Sequence, residues 1–192
     1  MQKCSVLLLL VFILISCRNK KAVKTEKTSA DSTKYYALSG FFNQQIVDVD
    51  LHAYNMYLIK DLNGKKDSIA IDKEIFKTYA ATFLQKDISA PEMRDRFSET
   101  VFHDLSTKSY TLNYRAKSVS EPIQNIDILL DENTNIVKRV FIRTEINHND
   151  TSIVEQCNWK ADKSFQINRF SKTVGGYTSN EFNYINWNDR KK

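Results

Sequence analysis

Glycine and proline are scarce, at 4 and 2 of 192 residues, which excludes collagen-like and low-complexity architectures and leaves no glycine-rich loop to cradle a phosphate. The one glycine pair, Gly175-Gly176, is followed by Tyr177 and a strand-like run, so it reads as a hairpin turn. Cysteine occurs only at Cys4, Cys17 and Cys157, with no paired spacing, so neither a zinc site nor a disulfide framework is encoded. The three histidines, His52, His103 and His148, are too far apart to put two on adjacent turns of one helix. No Gly-x-Ser-x-Gly segment is present. These absences predict a protein with no metal, no cofactor and no catalytic centre.

Excess charge is also lacking where a nucleic-acid binder would need it. The chain as a whole is basic, at net +5 and pI about 9.0. Residues 18–34, however, hold Arg18, Lys20, Lys21, Lys24, Lys27 and Lys34 against only Glu26 and Asp31. Residues 35–192 carry 21 basic and 21 acidic side chains, so the folded part has no electrostatic reason to seek nucleic acid.

One long apolar run is present, Val6-Leu7-Leu8-Leu9-Leu10-Val11-Phe12-Ile13-Leu14-Ile15, behind the basic start Met1-Gln2-Lys3. Ten residues are about half of the roughly 20 that a helix needs to cross a bilayer, so the run is expected to be an export signal rather than a permanent span. Leu14-Ile15-Ser16-Cys17 resembles the lipobox of bacterial lipoproteins, with an apolar residue three positions before the cysteine and a small one directly before it. The resemblance implies removal of residues 1–16 and attachment of lipid to the Cys17 sulfur, the nucleophile that takes the diacylglycerol. Cys4 then leaves with the signal. Cys157 is the one thiol left over, and it is expected to be a small core residue.

Residues 18–34 carry no apolar periodicity and are expected to remain a disordered tether between the lipidated Cys17 and the domain, about 20 to 25 Å across as a coil. In the Bacteroidota, lipoproteins sent to the cell exterior tend to carry acidic residues after the lipidated cysteine. Arg18-Asn19-Lys20-Lys21 is the opposite and implies a periplasm-facing position, on either the inner or the outer membrane.

Residues 35–192 have no linker-like break and read as one α+β domain, with two N-terminal helices and a hairpin packed on a curved antiparallel meander. Leu38, Phe41, Phe42, Ile46 and Val49 predict a helix over 37–50, and Asp72 reads as the N-cap of a second helix bearing Ile75, Phe76, Tyr79, Ala80 and Phe83. Asn63-Gly64 predicts a two-residue hairpin, with Asp61 opposite Lys66 and Leu58 opposite Ile69. Strand-like runs follow at 109–116, 123–130, 136–146, 151–159, 163–173 and 178–187, divided by turn residues.

The candidate ligand site follows from register. A three-residue loop at 161–163 sets Trp159 opposite Phe165, Cys157 opposite Ile167 and Glu155 opposite Arg169. A one-residue bulge before that strand brings Arg143 beside Glu155 and Phe141 beside Cys157. The expected row Arg143, Glu155, Arg169 is either a polar anchor in an apolar groove or an ion-pair row at the sheet rim.

The domain resembles uncharacterised lipoproteins of the Bacteroidota in Asn63-Gly64-Lys65-Lys66-Asp67, in Phe97-Ser98-Glu99-Thr100-Val101-Phe102, in Trp159-Lys160 with Lys163-Ser164-Phe165-Gln166-Ile167, and in Trp187-Asn188-Asp189. That resemblance implies the cell envelope and no particular activity. The expectation is a lipid-anchored, non-catalytic binding or scaffold module at the periplasmic face, whose partner is an unidentified protein or apolar ligand. The alternative is a carrier similar in architecture to LolA and LolB, whose curved sheets hold acyl chains.

Overall fold

The computed structural model describes residues 35–93 and 95–189, so the expected export signal, Cys17 and the expected tether all lie outside the described residues. Two α-helices and nine strands are present among the described residues. Helix α1 (Leu38–Leu51) buries Leu38, Phe42, Gln45 and Val49, a stripe at helical spacing, with Phe41 and Ile46 packed at its margins. Helix α2 (Lys73–Leu84) begins at Asp72, whose carboxylate accepts the Ile75 N–H at 2.9 Å, and it buries Phe76, Ala80 and Phe83.

Strands β1 (Met56–Leu62) and β2 (Lys65–Ile71) lie between the helices in sequence and pair antiparallel, with Asp61 opposite Lys66 and Leu58 opposite Ile69. Asn63 and Gly64 close them with φ of 53° and 84°, the left-handed pair that matches strand twist in a two-residue hairpin. After a 3-10 turn at Pro91–Met93 come β3 (Phe97–Asp104), β4 (Ser109–Ala116), β5 (Ile123–Asp131), β6 (Val137–His148), β7 (Thr151–Lys160), β8 (Ser164–Thr173) and β9 (Thr178–Asn186).

All the strands join one antiparallel sheet in the order β2-β1-β9-β8-β7-β6-β5-β4-β3. The seven strands from β3 to β9 form a meander, and β9 then lies against β1, which joins the early hairpin to the rest of the sheet. The sheet is open, with β2 and β3 as its edges.

The core occupies one face of the sheet. Along β7, Glu155, Cys157 and Trp159 are buried, while Val154, Gln156 and Asn158 alternate onto the less buried face. Trp159 is the hub: its ring centroid lies 4.6 Å from Phe165, 4.9 Å from Phe83, 5.1 Å from Phe42 and 5.6 Å from Trp187. Aromatic pairs of this kind contribute about 0.5–1.5 kcal/mol each beyond the area they bury. Gln45 is a polar residue inside this cluster. Its Oε1 accepts the Trp159 Nε1–H at 3.3 Å and the Asp162 N–H at 2.7 Å, and its Nε2 donates to Asp162 Oδ1 at 2.6 Å. These bonds dock α1 onto the β7–β8 turn. Among the described residues, no helix is long and apolar enough to cross a membrane.

Candidate functional site

Glu155 sits on the core face of β7, two residues beyond Cys157 and therefore one pleat farther from the aromatic hub. It is only 5% exposed. Arg169 on β8 stands opposite it and donates to Glu155 Oε2 from Nε at 3.0 Å and from Nη2 at 2.6 Å. A second cation arrives from beyond the end of α2: Lys86 Nζ lies 2.8 Å from Glu155 Oε1 and also donates to the Thr82 carbonyl at 3.1 Å. On its far side Arg169 reaches toward Glu181, at 3.7 Å.

The ionisation of this cluster follows from its surroundings. Burial would raise the Glu155 pKa, but hydrogen bonds and charge from Lys86 and Arg169 outweigh it and hold the carboxyl below its ordinary 4.5. Burial would likewise discharge Arg169, and the carboxylate at Glu155 more than compensates, raising the guanidinium above its usual range. The Cys157 thiol donates to Glu155 Oε1 at 3.5 Å; burial first, and then the Glu155 charge, push its pKa upward. Cys157 is therefore a protonated core thiol and not a nucleophile.

Lys86, Glu155 and Arg169 floor a cleft of about 400 Å³ between the end of α2 and the sheet, walled by Ile123, Ile146 and Ile153 with Thr144 and Gln85 at its margins. Its volume falls within the range of small-molecule sites, and its chemistry combines apolar walls with one convergent ionic group.

Arg143 is not part of it, contrary to expectation. Strands β6 and β7 pair without interruption from His148↔Thr151, so that Arg143 lies opposite Gln156, Thr144 opposite Glu155, and Ile142 rather than Phe141 opposite Cys157. The shift of one residue turns Arg143 onto the outer face, where its guanidinium binds Glu145. Irregularities do occur on the other edge of β6, in its pairing with β5, at Gln124 of β5 and Lys138 of β6. The residue that takes the place expected for Arg143 is Lys86, a contact that strand periodicity has no means to reveal.

The histidines stay apart. His52 caps the C-terminus of α1, His103 stacks on Tyr110 at 4.3 Å and bonds Glu132, and His148 ends β6. Among the described residues no group of three His, Cys, Asp or Glu side chains could hold a metal ion. Comparison of the chain with protein families, with curated proteins and with solved structures finds no match in any of the three.

Proposed function

We propose that this protein is a lipid-anchored module of the bacterial cell envelope that binds a ligand without transforming it, and that the cleft over Glu155 is where the ligand sits. The observation that carries this reading is the pairing inside the cleft. Lys86, Glu155 and Arg169 are committed to one another, so the site offers a fixed ionic anchor of net positive charge beside isoleucine walls and no group poised to exchange a proton. The anchor rests on the lipobox-like Leu14-Ile15-Ser16-Cys17, and the periplasmic orientation on the basic residues that follow it.

The filled core weighs against the carrier alternative. A carrier needs room for acyl chains between sheet and helices, and here Phe42, Phe76, Phe83 and Trp159, each 0% exposed, occupy that space. The test is native mass spectrometry of the full chain extracted from its host membrane, beside an Ile153→Trp variant that fills the cleft. A small non-covalent adduct on the wild type that is missing from an equally stable variant is expected. No adduct on the wild type, or one that the filled cleft still carries, contradicts the assignment.

A further inference from the structure

The outer face of the sheet, opposite the aromatic core and the cleft, carries an unusual block at its centre. Register aligns Asn158 on β7 with Gln166 on β8, and Gln156 with Asn168, so four amides form a square on two adjacent central strands. The same rows continue outward to Phe141 and Arg143 on β6 and to Tyr184 and Phe182 on β9. Arg143 is the only charged residue of these eight, and Glu145 engages it.

Two features set this block apart from an ordinary solvated strand face. Asn is depleted from strands, so its use at one central position on each of β7 and β8, Asn158 and Asn168, does not serve sheet formation. The amides also leave one another alone: among the described residues none of the four makes a side-chain hydrogen bond, and Asn168 Oδ1 is occluded without a partner. Elsewhere on the same face Asn113 and Asn125 are held by Asp127.

Chemistry narrows the occupant. Each amide carries two N–H donors, and each except Asn168, whose Oδ1 is occluded, also offers a carbonyl acceptor, while a hydroxyl both donates and accepts. The complement to four such groups side by side is a molecule dense in hydroxyls and free of net charge. Aromatic rings stand at the ends of the rows, where the apolar face of a sugar ring can lie against them: Phe141 at one end, and Tyr184 at the other with Tyr57 at 6.3 Å from it. A protein interface has the reverse anatomy, an apolar centre within a polar rim. The row from Phe141 to Tyr184 crosses three strand spacings, about 14 Å, which suits a short stretch of an oligosaccharide.

We propose that this amide block is a carbohydrate-binding surface that receives a neutral glycan lying across β6 to β9. It is independent of the cleft, since it uses the other face of the sheet.

The test is calorimetric titration of the full-length chain, held in a sugar-free detergent, with three neutral hexasaccharides: cellohexaose, maltohexaose and chitohexaose. At least one binds at millimolar concentration or below. Tyr184→Ala and the double variant Asn158→Ala/Gln166→Ala each weaken that binding by about tenfold or more, with melting temperatures showing both to be folded. Ile153→Trp, which alters only the cleft, leaves it unchanged, so failure of the cleft assignment and failure of this one are separable. The proposal is overturned if none of the three sugars binds, if binding survives the outer-face variants, or if those variants instead abolish self-association of the chain.

Discussion

Replacing Glu155 by Gln keeps the shape of the side chain and removes the charge that two cations share, so its cost measures how far the cleft floor is shielded from water. Lys86 is 9% exposed and Glu155 5% exposed, and breaking a buried pair by removing one partner costs about 3–5 kcal/mol. The Arg169 side chain is 46% exposed and keeps Glu181 at 3.7 Å, so its share is that of a surface pair, no more than about 1 kcal/mol. The Gln carbonyl retains one hydrogen bond. The net expectation is a loss of about 3 kcal/mol at pH 7, or roughly 6–12 °C in melting temperature for a domain of this size.

The pH dependence has a definite sign. The folded-state pKa of Glu155 is depressed, so its contribution is complete above its ordinary 4.5 and is lost as pH falls through the folded value. Urea melts of wild type and variant at a series of pH values should therefore give a gap that is constant near neutrality and closes below about 4.5. A gap under about 1 kcal/mol at pH 7, typical of exposed pairs, or one that does not narrow in acid, refutes the buried-cluster account.

Three further outcomes follow from the same structure. Arg143→Ala should cost no more than about 1 kcal/mol, because its partner is the half-exposed Glu145, and in a double-mutant cycle with Glu155→Gln the effects should add; coupling above about 0.5 kcal/mol would put Arg143 back in the cluster. Phe83→Ala should cost about 3–5 kcal/mol in a denaturant melt, since the ring is fully buried against Trp159 and Phe165; a loss below 1 kcal/mol would contradict a filled core. Deleting residues 18–33 should leave the melting temperature unchanged, provided Tyr35 is spared: it is 6% exposed and its hydroxyl donates to the Phe97 carbonyl at 2.7 Å.

How much of this the sequence discloses depends on the range of the interaction. Local alternation reveals β4, where Tyr110, Leu112 and Tyr114 share a face, and the three-residue loop at 161–163 is enough to set Glu155 against Arg169. Strand β3 is harder, because both faces of an exposed edge strand are wet and no alternation survives from Ser98 to His103. The placing of Arg143 fails on parity: nothing between residues 137 and 160 says on which edge of β6 the chain is irregular, and one residue of slip exchanges the two faces.

Lys86 and Gln45 are less legible still. Gln45 is a polar residue within the buried stripe of α1 and Lys86 lies just past the end of α2, and the role of each is fixed by a partner 117 or 69 positions away, Asp162 or Glu155. The amide square has a faint sequence trace, an i, i+2 pair on each of two successive strands. Only the register shows that the pairs coincide.

The proposed place in the cell envelope requires lipid on the Cys17 sulfur. The most direct test is metabolic labelling with a radioactive fatty acid in cells producing the full chain or its Cys17→Ala variant, followed by immunoprecipitation. Label on the wild-type chain, a mature product shortened by the signal, and no label on the variant are the predicted results. An unlabelled wild type, or a variant labelled as strongly as the wild type, contradicts the anchored account.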